Sequence, residues 1–236
     1  GIVKADGGSC RVLGTDNLLV SPKVKEELGV VLDEVFLPYT MNAREIEKTL
    51  GMIYHNWNRR KYQRLLKELH IPAEKKFKEL SRGNKMKLGI ACALSHEPRL
   101  LILDEATSGL DPVVRDEVLD MLLDFIQNQE NSVLISSHIV SDLEKACDRI
   151  AFLHEGRLLL MEDKRTLHQY GKILAPSGEP LVLPYEAILR QRKTKQGVEY
   201  LVKRESLSPD LRVQPLSLEE LFIMMVKGGK DERTGI

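Results

Sequence analysis

An aspartate followed at once by a glutamate, Asp104-Glu105, closes the unbroken apolar run Leu100-Leu101-Ile102-Leu103. Four apolar residues without polar alternation predict a strand of a parallel sheet, buried on both faces. The carboxyl end of such a strand is where open α/β sheets place their ligands. Asp104 carries the hard oxygen chemistry that holds Mg²⁺ through water, and Glu105 is placed to orient or deprotonate an attacking water. The same Asp-Glu pair is also a common way to open a loop.

Three further groups surround that pair. Leu80-Ser81-Arg82-Gly83-Asn84 opens a helix running to about Leu94, with Ser81 as its cap and Gly83 letting an anion approach the backbone. Free N–H groups and the positive dipole end at a helix start suit a phosphate. Ser108-Gly109-Leu110-Asp111-Pro112 reads as a tight turn into a helix, with Asp111 as N-cap and Pro112 in the first helical position. Ser136-Ser137-His138 ends the next apolar run, Val133-Leu134-Ile135, a second expected buried strand. Taken singly, each group also fits a plain helix start or a surface histidine.

The elements that must position these groups follow from periodicity. Cys10-Arg11-Val12-Leu13, after the turn Ala5-Asp6-Gly7-Gly8, and Leu28 to Leu32 are strand-like. Asn42 and Glu45 resemble a capping box, after which Ile46, Leu50, Ile53, Tyr54 and Trp57 fall on one helical face. Tyr62, Leu65, Leu66 and Leu69 continue a helical pattern until Ile71-Pro72. The basic residues of this stretch sit opposite an apolar stripe, as on a solvated face. Beyond Arg99 strands and helices alternate, the pattern of a doubly wound sheet with right-handed crossovers. Val114, Val118, Leu122 and Phe125 mark one helix face, and Ile150–Leu153 with Arg157–Met161 two strands joined at Glu155-Gly156. Near Gly171 the composition shifts toward proline and short strands such as Val198–Val202, and Ser217 with Glu220 caps a last helix. The expected division is residues 1–171, with a helical subdomain at about 40–95, and a small α+β module at 172–236.

Composition narrows the function classes. Lys plus Arg and Asp plus Glu both number 35, so a net charge of zero gives no global pull toward nucleic acid or an anionic membrane. Cys10, Cys92 and Cys147 match neither metal spacing nor a disulfide framework, which fits a reducing compartment. Apolar runs such as Leu221–Val226 are too short to cross a bilayer.

Together and in this order, the four groups resemble the ATP-binding subunits of ABC transporters. Leu80–Asn84 resembles the family's signature motif, Leu103-Asp104-Glu105 its Walker B end, Ser108–Asp111 its D-loop and His138 its switch histidine. The likeness covers about residues 1–165, most specifically 80–138, and the tail resembles the accessory segment of exporter ATPases. It implies a P-loop NTPase core of mostly parallel sheet flanked by helices, and ATP hydrolysis with Mg²⁺ powering export through a separate membrane permease. It further implies a cytoplasmic subunit held on the inner face of the membrane by that permease, and a head-to-tail pair of subunits, expected to be a homodimer, sandwiching two ATP molecules. In the implied roles Glu105 is the general base and His138 holds the γ-phosphate. Asp104 and Asp33 serve Mg²⁺. Ser81, Arg82, Gly83 and Asn84 contact nucleotide on the partner subunit, and Asp111 ties the two sites together.

Family members that act on ribosomes carry two cassettes, and DNA-repair members insert a long coiled coil. One cassette, no room for a coiled coil between Asn42 and Leu80 and zero net charge favour transport without nucleic acid. A degenerate, non-catalytic member is the remaining alternative, and Asp104-Glu105 with His138 argue against it.

Three departures stand out. Arg82 replaces the signature's first glycine and Asn84 its glutamine. Asp33 stands where the family has a Q-loop glutamine, as a metal ligand or equally as a strand-ending turn residue. Finally, no Gly-x-x-x-x-Gly-Lys-Ser/Thr occurs in the 236 residues. The resemblance puts that Walker A loop upstream of Gly1, so the chain alone is expected to be inactive.

Overall fold

The computed structural model describes residues 6–16, 22–177 and 181–229, so Ala5 of the expected opening turn lies outside the described residues. The chain divides into two compact units, Gly1–Ile139 and Val140–Ile236.

The first unit opens with the short hairpin β1 (Arg11–Val12) and β2 (Thr15–Asp16), then helix α1 (Pro22–Glu26) and strand β3 (Leu28–Val31). Helices α2 (Ala43–Ile53), α3 (Arg59–Glu68) and α4 (Arg82–Ser95) follow. Strand β4 (Leu100–Asp104), helix α5 (Pro112–Phe125) and strand β5 (Ser132–Ser136) complete it. The three long strands form a parallel sheet in the order β3-β4-β5, with Val31 opposite Leu103 and Asp104 opposite Ser136. This is the mostly parallel sheet with flanking helices read from the alternation of patterns.

Burial on that sheet is one-sided. Leu101 and Leu103 are buried, whereas Ile102 is half-buried and its cross-strand neighbours Val30 and Leu134 are 52% and 61% exposed. The expectation of strands buried on both faces therefore holds for neither β4 nor β5. Unbroken apolar runs say that both faces are apolar, while coverage depends on which elements pack there, and among the described residues Val30 and Leu134 stay exposed on the second face.

The helical region begins as expected, with Asn42 accepting from the amides of Arg44 and Glu45 while Glu45 returns a bond to Asn42 N–H. The single face drawn through Ile53, Tyr54 and Trp57 does not form. Helix α2 stops at Ile53, which is exposed, and Asn58 caps the next helix by accepting from Lys61 N–H at 2.9 Å. Tertiary contacts then claim the two aromatic residues: Tyr54 stacks on His96 at 4.2 Å, and Trp57 leans on Tyr62 at 5.2 Å. Helix α4 is the spine of the unit, buried continuously from Met86 to Ser95. Its Lys87 pairs with Glu117 and donates to the Leu69 carbonyl at 3.3 Å, tying α4 to α5 and to the end of α3.

His96, only 3% exposed, joins the helical region to the sheet by donating from Nε2 to the Leu28 carbonyl at 3.0 Å. Burial pushes its pKa below the ordinary 6.5, although the Leu28 bond works the other way. The unfolded chain takes up the proton at the ordinary value and the folded chain only at lower pH. This stabilisation is therefore complete above about pH 6.5 and is lost as pH falls through that value toward the folded pKa. His96→Phe keeps a ring to stack on Tyr54 but cannot titrate. The drop in urea midpoint between about pH 7.5 and 5.5 should be shallower in His96→Phe than in the wild type; equal drops would remove His96 as a source of acid sensitivity.

The second unit starts with α6 (Val140–Ala146) and the antiparallel hairpin β6 (Arg149–His154) and β7 (Arg157–Asp163). Its turn residues, Glu155 and Gly156, both have positive φ, 47° and 73°, as a two-residue hairpin turn with the right twist requires. Strands β8 (Tyr170–Pro176), β9 (Ile188–Thr194) and β10 (Gly197–Lys203) form an antiparallel sheet in the order β8-β10-β9. Helix α7 (Leu218–Lys227), capped reciprocally by Ser217 and Glu220, closes the unit. Ile150, Phe152, Leu201, Leu221 and Met224 share one buried core. The hairpin β6–β7 thus belongs to the same compact unit as the later strands, and Gly171 lies inside β8.

Candidate functional site

The carboxyl edge of the parallel sheet gathers Asp104, Glu105, Ser136 and His138. Asp104 is the last residue of β4, and Ser136, opposite it in register, is the last of β5. The Ser136 hydroxyl donates to Asp104 Oδ1 at 2.6 Å. Glu105 leaves the strand in the left-handed region, φ 51°, which is uncommon for a residue with a side chain. Its N–H donates to both the carbonyl and the hydroxyl oxygen of Ser136, at 3.2 and 3.1 Å. That turn swings the carboxylate to His138, where Glu105 Oε2 lies 2.6 Å from Nδ1. The histidine stays exposed, so the pair faces solvent where a ligand can approach.

Asp33 occupies the same edge, two residues past β3, but its Oδ1 accepts from Glu34 N–H at 2.8 Å, the behaviour of a turn residue. Among the described residues no three His, Cys, Asp or Glu side chains are grouped to hold a metal ion. The donor chemistry nevertheless suits Mg²⁺: Asp104 is an exposed hard carboxylate whose second oxygen lies outside the Ser136 bond.

The signature-like residues and the D-loop-like turn meet elsewhere in the unit. Ser81 caps α4 by accepting from Asn84 N–H at 3.3 Å. Asp111 caps α5 by accepting from Val113 and Val114 N–H at 3.1 Å, with Pro112 first in the helix. A Cβ on Gly83 would meet Val114 at an ordinary 3.5 Å, so packing does not demand glycine there. Gly109 differs: its φ is 68°, and an added Cβ would lie 2.7 Å from the Arg82 guanidinium. Arg82 therefore lies across the turn, a contact that replacing the signature's first glycine makes available. The pair Asp104 and Glu105 and the partners His138 and Ser136 come together; Ser81, Arg82, Gly83 and Asn84 adjoin the turn leading to Asp111; Asp33 makes no bond to either group.

Sequence reasoning missed Ser136 as a member of the site. Its signal was a hydroxyl at the end of an apolar strand, and that has meaning only once the neighbouring strand is known.

A family model described as ABC transporter matches residues 1–108. The ATP-binding protein YtrB of Bacillus subtilis is 30% identical over 244 residues, covering 97% of this chain and 82% of YtrB. The chain belongs to the ABC transporter ATP-binding family. BcrA of Enterococcus faecalis, a bacitracin transport ATP-binding protein, is 41% identical over 104 residues, 44% of this chain and 34% of BcrA. The chain thus spans most of one curated relative and about a third of another. Among solved structures, the ATP-binding cassette MJ0796, a dimer bound to ADP and Pi, superposes with a TM-score of 0.61 at 22% identity, covering 69% of this chain and 75% of that one. That likeness establishes the fold, that of an ABC ATPase. Among the described residues no helix is long and apolar enough to cross a membrane.

Proposed function

We propose that this ABC cassette hydrolyses ATP to power export through a separate membrane permease. The Glu105–His138 pair beside Asp104, at the ligand-binding edge of a parallel sheet, is the observation that carries this reading. Glu105 accepts the proton of a water as its oxygen bonds to the γ-phosphorus, and the bond to ADP breaks. His138, hydrogen-bonded to Glu105, presents its outer nitrogen to the γ-phosphate. Asp104, with Asp33 as the second carboxylate of the edge, would hold Mg²⁺, which would supply neutralisation of phosphate charge. Ser81, Arg82, Gly83 and Asn84 act on the nucleotide of a second subunit, expected to be identical, and Asp111 links the two sites.

Export rather than import is supported by the likeness of the tail to the accessory segment of exporter ATPases. Phe36 and Tyr39, 76% and 63% exposed on the loop after β3, are the surface offered to the permease, which would hold the subunit at the cytoplasmic face of the membrane. The ATPase part is read as residues 1–171 and the accessory module as 172–236, a functional division distinct from the compact units, which part after Ile139.

The 236 residues contain no Gly-x-x-x-x-Gly-Lys-Ser/Thr, so they lack the N–H cradle, lysine and hydroxyl that grip phosphates in this family. Asp33, Asp104 and Glu105 by themselves repel a triphosphate. Calorimetric titration of the purified 236-residue chain with Mg·ATP should give no saturable heat at micromolar concentration and no phosphate release. Micromolar binding with steady release would overturn the requirement for that loop.

A further inference from the structure

We propose that Ser136 is a positioning residue for this hydrolysis, holding the Asp104 carboxylate and the left-handed turn that presents Glu105. The inference rests on the reading of Glu105 as general base. Three observations carry it. Parallel pairing places Ser136 directly beside Asp104 at the last register position of β4 and β5. Its hydroxyl hydrogen goes to Asp104 Oδ1 at 2.6 Å, a short bond to a carboxylate that fixes the rotamer of the residue assigned to Mg²⁺. Its oxygen accepts the Glu105 N–H at 3.1 Å, where the backbone adopts φ 51°.

One hydroxyl thus acts on both carboxylates, one through its side chain and the other through its backbone. Left-handed backbone at a residue with a Cβ persists when the surroundings over-determine it, and here Ser136 supplies both acceptors for the Glu105 amide. The two serines before His138 divide the work: Ser137 Oγ accepts from Ile139 N–H at 3.0 Å and serves the turn beyond the histidine. Removing the Ser136 hydroxyl leaves its carbonyl bonded to Glu105 N–H, so the strand pairing survives. What is lost is the orientation of the carboxylates.

The test uses the full-length gene product with Ser136→Ala, Ser136→Thr, Glu105→Gln and the double variant Ser136→Ala/Glu105→Gln. Ser136→Ala should lower kcat by about 10–100-fold, the range for losing a partner that orients a reactive group. KM for ATP and the thermal midpoint should stay near wild type. Ser136→Thr restores the hydroxyl on a residue suited to strands and should recover most of the rate. Once the base is gone its positioning no longer matters, so Ser136→Ala should cost less in the Glu105→Gln background than in the wild type, the remaining loss coming through Asp104. A wild-type kcat in Ser136→Ala, equal damage in Ser136→Thr, or losses that multiply in the double variant would each overturn the proposal. A wild-type rate in Glu105→Gln sinks the base assignment itself, whereas a wild-type rate in Ser136→Ala beside an inactive Glu105→Gln sinks this inference alone.

Discussion

Glu105→Gln in the full-length gene product should lower ATP turnover by about two to four orders of magnitude, the contribution of a well-placed general base. Glutamine keeps the length of the side chain and can still hydrogen-bond His138, which lies 2.6 Å from the carboxylate. It cannot accept a proton from water. Binding should survive because Asp104, the carboxylate assigned to Mg²⁺, keeps its own partner in Ser136. An ATP-bound dimer should then accumulate, visible by size-exclusion chromatography with nucleotide present. Turnover near the wild-type rate would show that another group takes the proton.

Leu101→Ala should destabilise the first unit by about 2–5 kcal/mol, the cost of emptying a leucine site in a packed core. Leu101 sits in the central strand with no exposed surface. A Cβ added at Gly29 on the neighbouring strand would come within 2.7 Å of Leu101 Cδ1, so the two strands are already closely fitted around this side chain. Against a typical domain stability of about 5–15 kcal/mol, the loss is a large fraction. Leu101→Met conserves volume and should cost less than about 1.5 kcal/mol. Trp57, the single tryptophan, lies in this unit, so its fluorescence during urea unfolding reports on the right part of the chain. An unchanged midpoint for Leu101→Ala would contradict the packing described for β4. Since β4 ends in Asp104 and runs directly into Glu105, the variant should also lose activity in step with its stability.

Much of the site was legible because its parts are local. Asp111 and Pro112 were readable as the start of a helix because the bonds concerned reach only two and three residues ahead. Ser81 and the reciprocal caps Asn42–Glu45 and Ser217–Glu220 work over the same span. The turn at Glu155-Gly156 was readable for a similar reason, since few pairs other than X-Gly place two positive φ angles in succession. The helix expected through Tyr54 and Trp57 failed where a local pattern met distant partners. The hydrophobic period continued past Ile53, but stacking on His96 and the cap at Asn58 offered better contacts than another helical turn.

The sequence by itself determined the alternation of strands and helices from Leu100 to Met161, the caps that start α2, α4, α5 and α7, and the set of chemically able residues from Ser81 to His138. These depend on neighbours within a turn of helix or a few residues of strand. Tertiary structure decided which of those residues meet. The bond between Ser136 and Asp104 spans 32 residues and that between His138 and Glu105 spans 33, and both exist only because β4 and β5 pair in parallel at one register. Apolar alternation cannot specify that register when both faces of a strand are apolar, as in Leu100–Leu103. The same limit explains Asp33, which sequence reasoning could place at the sheet edge but could not orient. Its carboxylate turned to the adjacent Glu34 amide, the nearest donor, and only the folded backbone decides that choice.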